Sequence, residues 1–421
     1  MTGIAWAPAL PDHWTHCSLR WLASIYAGGT PDRENPEYWT NGSIPWLNSG
    51  SVNDWVITEP SELISEAGFA HSSARWVPAG SVVVGLAGQG KTKGTAARLE
   101  IDSTTNQSMV AIVPGPSLDY RYLHYWLASN YQSLRNLAGG DKRDGLNLRH
   151  ISAIECPLPP VGEQRVIADY LDRETAQIDT LIAKQEQLIS TLRERKHSIV
   201  AATVTRGLDQ SIPFRETGIA WLGAVPAHWR TKPLWSMYNR VKDINHPEEQ
   251  MLSVFREHGV VVKDEHANIN KTAENRSIYQ LIHPGWLAAN RMKAWQGSVG
   301  VSPHRGIISG HYICFEPKHH ESDEFLNWLF RSPTYAAGYG YISRGVRIGQ
   351  AEIDNDDYRI LPVVLPPLDE QAAIADSLTD QVASIDALAA KAEQFIALAR
   401  ERRAALITAA VTGQIDISTA A

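Results

Sequence analysis

Sulfur and long apolar runs are scarce in this chain of 421 residues. It holds three cysteines, five methionines and no apolar stretch approaching the ~18 residues that a membrane helix needs. Cys17, Cys156 and Cys314 lie far apart in sequence and form no CxxC or Cys/His spacing. That excludes a zinc-ligand pattern and a disulfide framework and leaves reduced thiols. No basic-then-apolar leader opens the sequence, so the expected location is cytoplasmic, with no membrane partner. A positive excess is also lacking: 39 Lys+Arg stand against 46 Asp+Glu, a net charge of -7. The total hides its distribution, because residues 1–157 carry 11 against 14 and residues 210–362 carry 17 against 16. Much of the acidity lies on the remaining segments, so basic loops remain available to the globular parts. HExxH, GxSxG and paired-carboxylate constellations are absent, and no catalytic residue and no metal ligand is nominated.

What the chain does have is a segment that occurs twice. Residues 158–209 begin Leu158-Pro159-Pro160 and pass through Glu163-Gln164 into Ile167, Leu171, Ile178, Leu181, Leu188, Leu192 and Ile199. The pattern returns 207 positions later, from Leu365-Pro366-Pro367 through Glu370-Gln371 to Ile374, Leu378, Ile385, Leu388 and Phe395, and 25 of the 52 aligned positions are identical. Apolar steps of three and four predict a helix of some 40 residues, roughly 60 Å, in each copy. Glu174, Gln185 and Arg195 interrupt the first seam, and Ala392 and Ala399 narrow the second. Asp369 is the expected N-cap, and Gly207 and Gly413 stand where helix stops belong. One such helix cannot cover its stripe alone, and its best partner is its duplicate. The expectation is an antiparallel coiled coil with the globular regions at opposite ends of a pseudo-two-fold.

A second repeated phrase opens each unit: Gly3-Ile4-Ala5-Trp6 with Pro11-Asp12-His13-Trp14, and Gly218-Ile219-Ala220-Trp221 with Pro226-Ala227-His228-Trp229. A His beside a Trp in a repeated turn reads as packing rather than catalysis. Strand-like runs follow at Ser81–Val84 and Met109–Val113, and a helix-like run at Tyr122–Ser129. Gly285-Trp286-Leu287-Ala288, Tyr312–Pro317 and Phe325–Ser332 answer them in the second region. Residues 238–280 and 23–75 have diverged almost completely. The fold class is therefore α+β, a tandem repeat of two globular α/β domains joined by two long helices: 1–157, 158–209 (helix), 210–364, and 365–421 (helix and tail).

Gly85-Leu86-Ala87-Gly88-Gln89-Gly90-Lys91-Thr92 matches a phosphate-loop pattern after a strand. That chemistry needs a helix starting at the lysine and a later strand ending in Asp for Mg²⁺. Here Ala96–Ile101 resembles another strand, and the matching place in the second region, Trp295–Gly300, lacks the Lys-Thr. A flexible hairpin tip that approaches a DNA backbone fits better, and an ATPase is kept as the alternative, beside a coiled-coil protein scaffold. Asn35-Pro36-Glu37-Tyr38 departs from an amino-methyltransferase loop at one position and has no glycine-rich cofactor strand. Candidate DNA-binding cations are Lys91, Lys93, Lys142, Arg143 and Arg149 in the first region. In the second they are Arg291, Lys293, Arg305, Arg344 and Arg347. Such groups neutralise phosphates or read base edges.

Two divergent globular regions, each followed by a Pro-Pro-x-x-Glu-Gln helix, resemble the specificity subunit of Type I restriction-modification systems. The phrase Gly218–Trp229, and Gly28-Gly29-Thr30-Pro31 with Ile44-Pro45-Trp46, are similar to that family's repeat start and first target-recognition domain. The resemblance implies a non-catalytic subunit in which each domain reads half of a bipartite site on double-stranded DNA. The helices, through Ile167, Leu171, Ile178, Leu181, Leu188, Ile374, Leu378, Ile385 and Leu388, set the spacer or dock partners. It also implies two methyltransferase subunits and motor-nuclease subunits. S-adenosylmethionine, ATP and Mg²⁺ would belong to those partners, with no cofactor on this chain.

Overall fold

Each Pro-Pro dipeptide leads directly into a long helix in the computed structural model, Val161–Arg206 and Leu368–Val411, of 46 and 44 residues. The structure describes residues 4–7, 9–88, 90–137, 145–263, 276–344, 352, 353, 355–415 and 417. Lys142, Arg143 and Arg347 lie outside these, and only the backbone of Arg344 is described. Asp369 falls in the first turn, one residue inside the helix start, and joins Glu370 as an acidic group at the positive end of the helix dipole. Gly207 and Gly413 adopt φ of 74° and 69°, the left-handed stop that a glycine reaches without strain.

The chain divides into two compact units, Met1–Gln185 with Gln394–Ala421, and Glu186–Glu393. Each contains one globular region and a portion of both helices. In the second unit Arg193 approaches Glu393 and Lys196 approaches Asp386, so the helix portions run antiparallel. In the first unit Asp179 meets Arg403, while Ile167 and Leu171 share a core with Ile407, Ala410 and Val411, again antiparallel.

The seam differs from the expected one. Buried or half-buried positions step by four and three through Leu171, Thr175, Ile178, Ile182, Gln185, Ile189, Leu192, Lys196, Ile199 and Thr203. The second helix repeats this 207 residues on: Leu378, Val382, Ile385, Ala389, Ala392, Ile396, Ala399, Arg403, Leu406 and Ala410. Ile167, Leu171, Ile178, Ile374, Leu378 and Ile385 are buried as expected. Leu181, Leu188 and Leu388 instead face outward, 46%, 44% and 52% exposed, as does Phe395. A step of four from Ile178 reaches Ile182 and keeps the 3.5-residue period of an antiparallel pair, whereas a step of three to Leu181 breaks it. Gln185 lies in the seam; Glu174 flanks it and Arg195 is exposed.

The globular frames match over four strands, and the first sheet adds a fifth, Val56–Ile57. In the first unit a sheet runs in the order Ala23–Ala27, Met109–Pro114, Ser81–Gly85, Ala96–Leu99, Val56–Ile57, antiparallel except for the last pair. In the second the order is Tyr238–Val241, Tyr312–Pro317, Leu287–Asn290, Val299–Val301. A helix covers each sheet. Tyr120–Ser129 starts at Asp119, whose carboxylate accepts from the Arg121 and Tyr122 amides, and buries Tyr122, Leu123, Tyr125, Trp126 and Leu127. Asp323–Arg331 starts at Ser322 and buries Phe325, Leu326, Leu329 and Phe330. Each such side chain contributes about 1.5–3 kcal/mol when fully buried. The diverged stretches differ in architecture as well. Residues 28–77 contribute to a second, four-stranded sheet around Ile44–Leu47 and Ser103–Thr105, whereas the second unit has the hairpin Leu252–Phe255 with Gly259–Val262 and a separate antiparallel pair, Gln280–Ile282 with Gly306–Ile308.

Candidate nucleic-acid interface

The repeated His-Trp phrase and the repeated Glu-Gln pair turn out to be two halves of one latch. Trp14 donates through Nε1 to Glu163 at 3.0 Å, and His13 lies 3.2 Å from the same carboxylate. In the second unit Trp229 donates to Glu370 at 3.1 Å and His228 lies at 2.8 Å. The glutamines are fully buried. Gln164 accepts from the Asp119 amide at 2.8 Å and donates to the carbonyls of Ser117 and Pro159 at 3.0 and 2.8 Å. Gln371 accepts from Ser322 N at 2.9 Å and donates to Pro366 O and to the Glu321 carboxylate at 2.9 and 2.7 Å. The latch therefore ties the long helix to the N-cap of the covering helix, and it gives the two histidines a packing role. A helix stop closes it: a Cβ on Gly413 would meet Pro11 at 2.4 Å, and one on Gly207 would meet Glu370 at 2.9 Å.

On this frame the connection from Gly85 to Ala96 is a β-hairpin tip. Ser81–Gly85 and Ala96–Leu99 pair antiparallel, and the Gly85 amide bonds Thr95 O at 3.0 Å. No helix begins at Lys91, and the tip's carbonyls are capped by Arg135 (to Gly90 at 2.6 Å and Lys93 at 3.2 Å) and Tyr131 (to Lys91 at 3.0 Å). A phosphate loop needs amides converging at a helix start, so the ATPase reading is overturned. Lys91 is exposed at the tip; Lys93 is 6% exposed and folds inward, so it is a poor phosphate contact. Leu146 lies beside the tip, where its amide bonds Leu86 O at 2.8 Å. Arg149 is exposed on Leu148–Ser152.

The second unit repeats the juxtaposition with other residues. Lys293 is exposed in the turn after Leu287–Asn290, with Asn290 Oδ1 accepting from its amide at 3.1 Å. Helix Pro333–Ile342 packs on this turn, Gly340 facing Trp295. Beyond it Ser343–Arg344 pairs with Glu352–Ile353, whose Ile353 amide bonds Arg291 O at 3.3 Å. Arg291 is half-buried; Met292, at 42%, and Tyr341, at 74%, are the exposed apolar groups of this face. Arg305 lies elsewhere, before Gly306–Ile308, and its guanidinium is bound to Glu249 at 2.7 Å. That hydrogen bond lowers the Glu249 pKa and raises that of Arg305.

Sequence reasoning missed the polar network that anchors the first hairpin to its helix. Arg98, on Ala96–Leu99, bonds Asp172 at 2.7 Å; Arg121 bonds Asp169 and Asp172 at 2.7 and 3.1 Å, and Tyr125 bonds Asp172 at 2.8 Å. Burial opposes ionisation of Asp172, but the bonds from Arg98 and Tyr125 and the two guanidinium charges prevail and hold its pKa below the usual carboxylate range. His124 beside it is buried against Trp55, and burial, assisted by Arg98, lowers its pKa to about 3. Only an i, i+4 pattern would have flagged such a network, and none of these partners is local in sequence.

Among the described residues no cluster of His, Cys, Asp or Glu could hold a metal ion, and no helix is long and apolar enough to cross a membrane. The three thiols are free, with Cys17 and Cys156 facing each other across the strand pair Thr15–Ser18 and Glu155–Leu158. Burial raises the Cys314 pKa to about 12 and that of Cys156 further.

A family model described as the Type I restriction modification DNA specificity domain matches residues 11–190, the first globular region and the adjoining helix. Residues 11–190 therefore match a Type I specificity domain, and the chain as a whole is similar to proteins that carry it. Among curated relatives, the EcoR124I/EcoR124II specificity subunit of Escherichia coli is 26% identical over 159 residues, 37% of this chain and 39% of that protein. The StySPI specificity subunit of Salmonella potsdam is 21% identical over 394 residues, 90% of this chain and 84% of that one, so this likeness extends through the second repeat. A chain solved in work on complex assembly and conformational transition of the type I R-M system shares the fold with a TM-score of 0.71 at 15% identity, covering 97% of this chain and 100% of that chain. The HsdS subunit from Thermoanaerobacter tengcongensis shares it at 0.55 and 15%, covering 96% and 98%. The phosphate-loop look-alike is thus a hairpin tip in a specificity-subunit fold.

Proposed function

We propose that this chain is the DNA-reading, non-catalytic subunit of a cytoplasmic Type I restriction-modification enzyme, each globular domain reading one half of a bipartite site. The observation that carries the reading is the shared latched frame, four-strand order and hairpin juxtaposition in two units whose diverged segments differ in architecture. A constant frame with unlike surfaces suits two readers of different sequences. Domains 1–157 and 210–364 are the readers, and segments 158–209 and 365–421 the spacer. Lys91 and Lys293, exposed at equivalent tips, are the leading phosphate contacts. Arg149, Arg291 and Arg344 follow, with Lys142, Arg143 and Arg347, which lie outside the described residues, kept as candidates from the sequence, while Lys93 and Arg305 are the weakest of the set.

The outward leucines give the partner proposal its form. Leu181 and Leu388 are repeat mates, as are Leu188 and Phe395, and all four are exposed. Two copies of one apolar surface suit two copies of one partner, here a methyltransferase subunit supplying S-adenosylmethionine chemistry. Motor-nuclease subunits would bring ATP and Mg²⁺. Exchange of residues 1–157 for another such domain tests the reading: one half of the methylated motif should change and the other persist. An unchanged motif contradicts it.

A further inference from the structure

Each long helix carries one long cation in a seam otherwise made of apolar, small and neutral polar residues, and the two cations are repeat mates, Lys196 and Arg403. Their side chains are only 16% and 18% exposed. Each meets an aspartate of the other helix, and the aspartates are repeat mates as well. In the second unit Lys196 Nζ lies 2.8 Å from Asp386, and in the first Arg403 Nε lies 2.9 Å from Asp179. Each cation then reaches its unit's globular region by different chemistry. Lys196 Nζ is 3.7 Å from Glu257, in the turn between Leu252–Phe255 and Gly259–Val262. The Arg403 guanidinium lies 4.5 Å from the centre of the Trp55 ring.

Stability alone does not ask for these charges, because holding a long cation in a seam costs solvation and rotamer freedom that an apolar side chain would not lose. What a charged seam position supplies is register. Ala389, Ala392, Ile396 and Ala399 can slide by a heptad with little change in buried volume. A cation that must satisfy an aspartate and a globular region together fits only one alignment.

We propose that Lys196 and Arg403 are positioning residues that fix the helix register and seat each recognition domain on the helix pair, and so determine which spacer length is accepted. This rests on the proposed reading of the helices as the spacer. The test places Lys196→Met and Arg403→Met, singly and together, in the full chain assembled with its methyltransferase subunits. Methylation is read on a plasmid library with the two half-sites at the native spacer and at one base pair shorter and longer. Asp179 and Asp386 are 52% and 55% exposed, so water replaces the lost partner. The half-site bases should be unchanged, while preference for the native spacer falls about tenfold in the double variant, equivalent to about 1.4 kcal/mol. Lys196→Arg and Arg403→Lys, which keep the charge, should retain the preference. Undiminished preference in a methylating Met variant overturns the proposal. Should the Met variants fail to assemble, Lys196→Gln and Arg403→Gln are read by the same two outcomes. An unaltered chain that directs methylation to no two-part site refutes the proposed function instead, irrespective of these residues.

Discussion

Replacing Gln164 by leucine probes the latch at its centre. The two side chains are close in volume, so the change removes hydrogen bonds while opening little cavity. Three backbone groups lose their partner: the Asp119 amide and the carbonyls of Ser117 and Pro159. Ser117 is exposed and can turn to water, whereas Pro159 is buried and Asp119 half-buried. Two stranded groups at about 1–3 kcal/mol each predict a loss of about 2–6 kcal/mol. The effect should be local, because the Asp119 backbone begins the helix Tyr120–Ser129. Hydrogen exchange of a peptide covering residues 119–129 reads that opening free energy directly, without requiring the two units to unfold as one. Protection should fall by the stated amount, and Gln371→Leu should do the same for residues 323–331. Gln187→Leu, on the exposed face of the same helix, should stay within about 0.5 kcal/mol. Protection changed no more by Gln164→Leu than by Gln187→Leu would refute the argument that the Glu-Gln pair is a buried tie.

Other consequences are as specific. Ile189→Ala should cost about 2–4 kcal/mol in chemical denaturation and Leu188→Ala under about 1 kcal/mol; the reverse order would restore the originally expected seam. His124 is neutral when folded, with a pKa near 3 against 6.5 for the free group, so its contribution is fully present above pH 6.5 and is lost as pH falls toward 3. Between pH 7.5 and 5.5 it should account for about 1.4 kcal/mol of lost stability, and His124→Phe should flatten that slope by this amount. Lys91→Ala and Lys293→Ala should each weaken DNA binding and lower the salt slope by about one ion if they touch phosphate; an unaltered slope removes them from the interface.

The duplication, the long helices and the α+β frame were legible because they are written as periodicity and repetition. The seam was legible only in part. Leu181-Ile182 and Leu188-Ile189 are adjacent apolar pairs about 100° apart on the helix, and only the partner helix selects the second of each. The Glu-Gln pair was recognisable as repeated, but its function depends on groups over 40 residues distant, such as Ser117 and Trp14. The phosphate-loop match failed for a topological reason, since the residues after Lys91 pair back as a strand. Lys93 shows the limit of counting charges, because a hairpin tip has an inner side as well as an outer one.

Genome-wide mapping of methylated bases, with and without this chain in cells that hold its methyltransferase partner, tests the central claim most directly. Loss of one two-part motif with a fixed spacer is the predicted result. Retention of every motif, or loss of a continuous undivided one, would contradict the account.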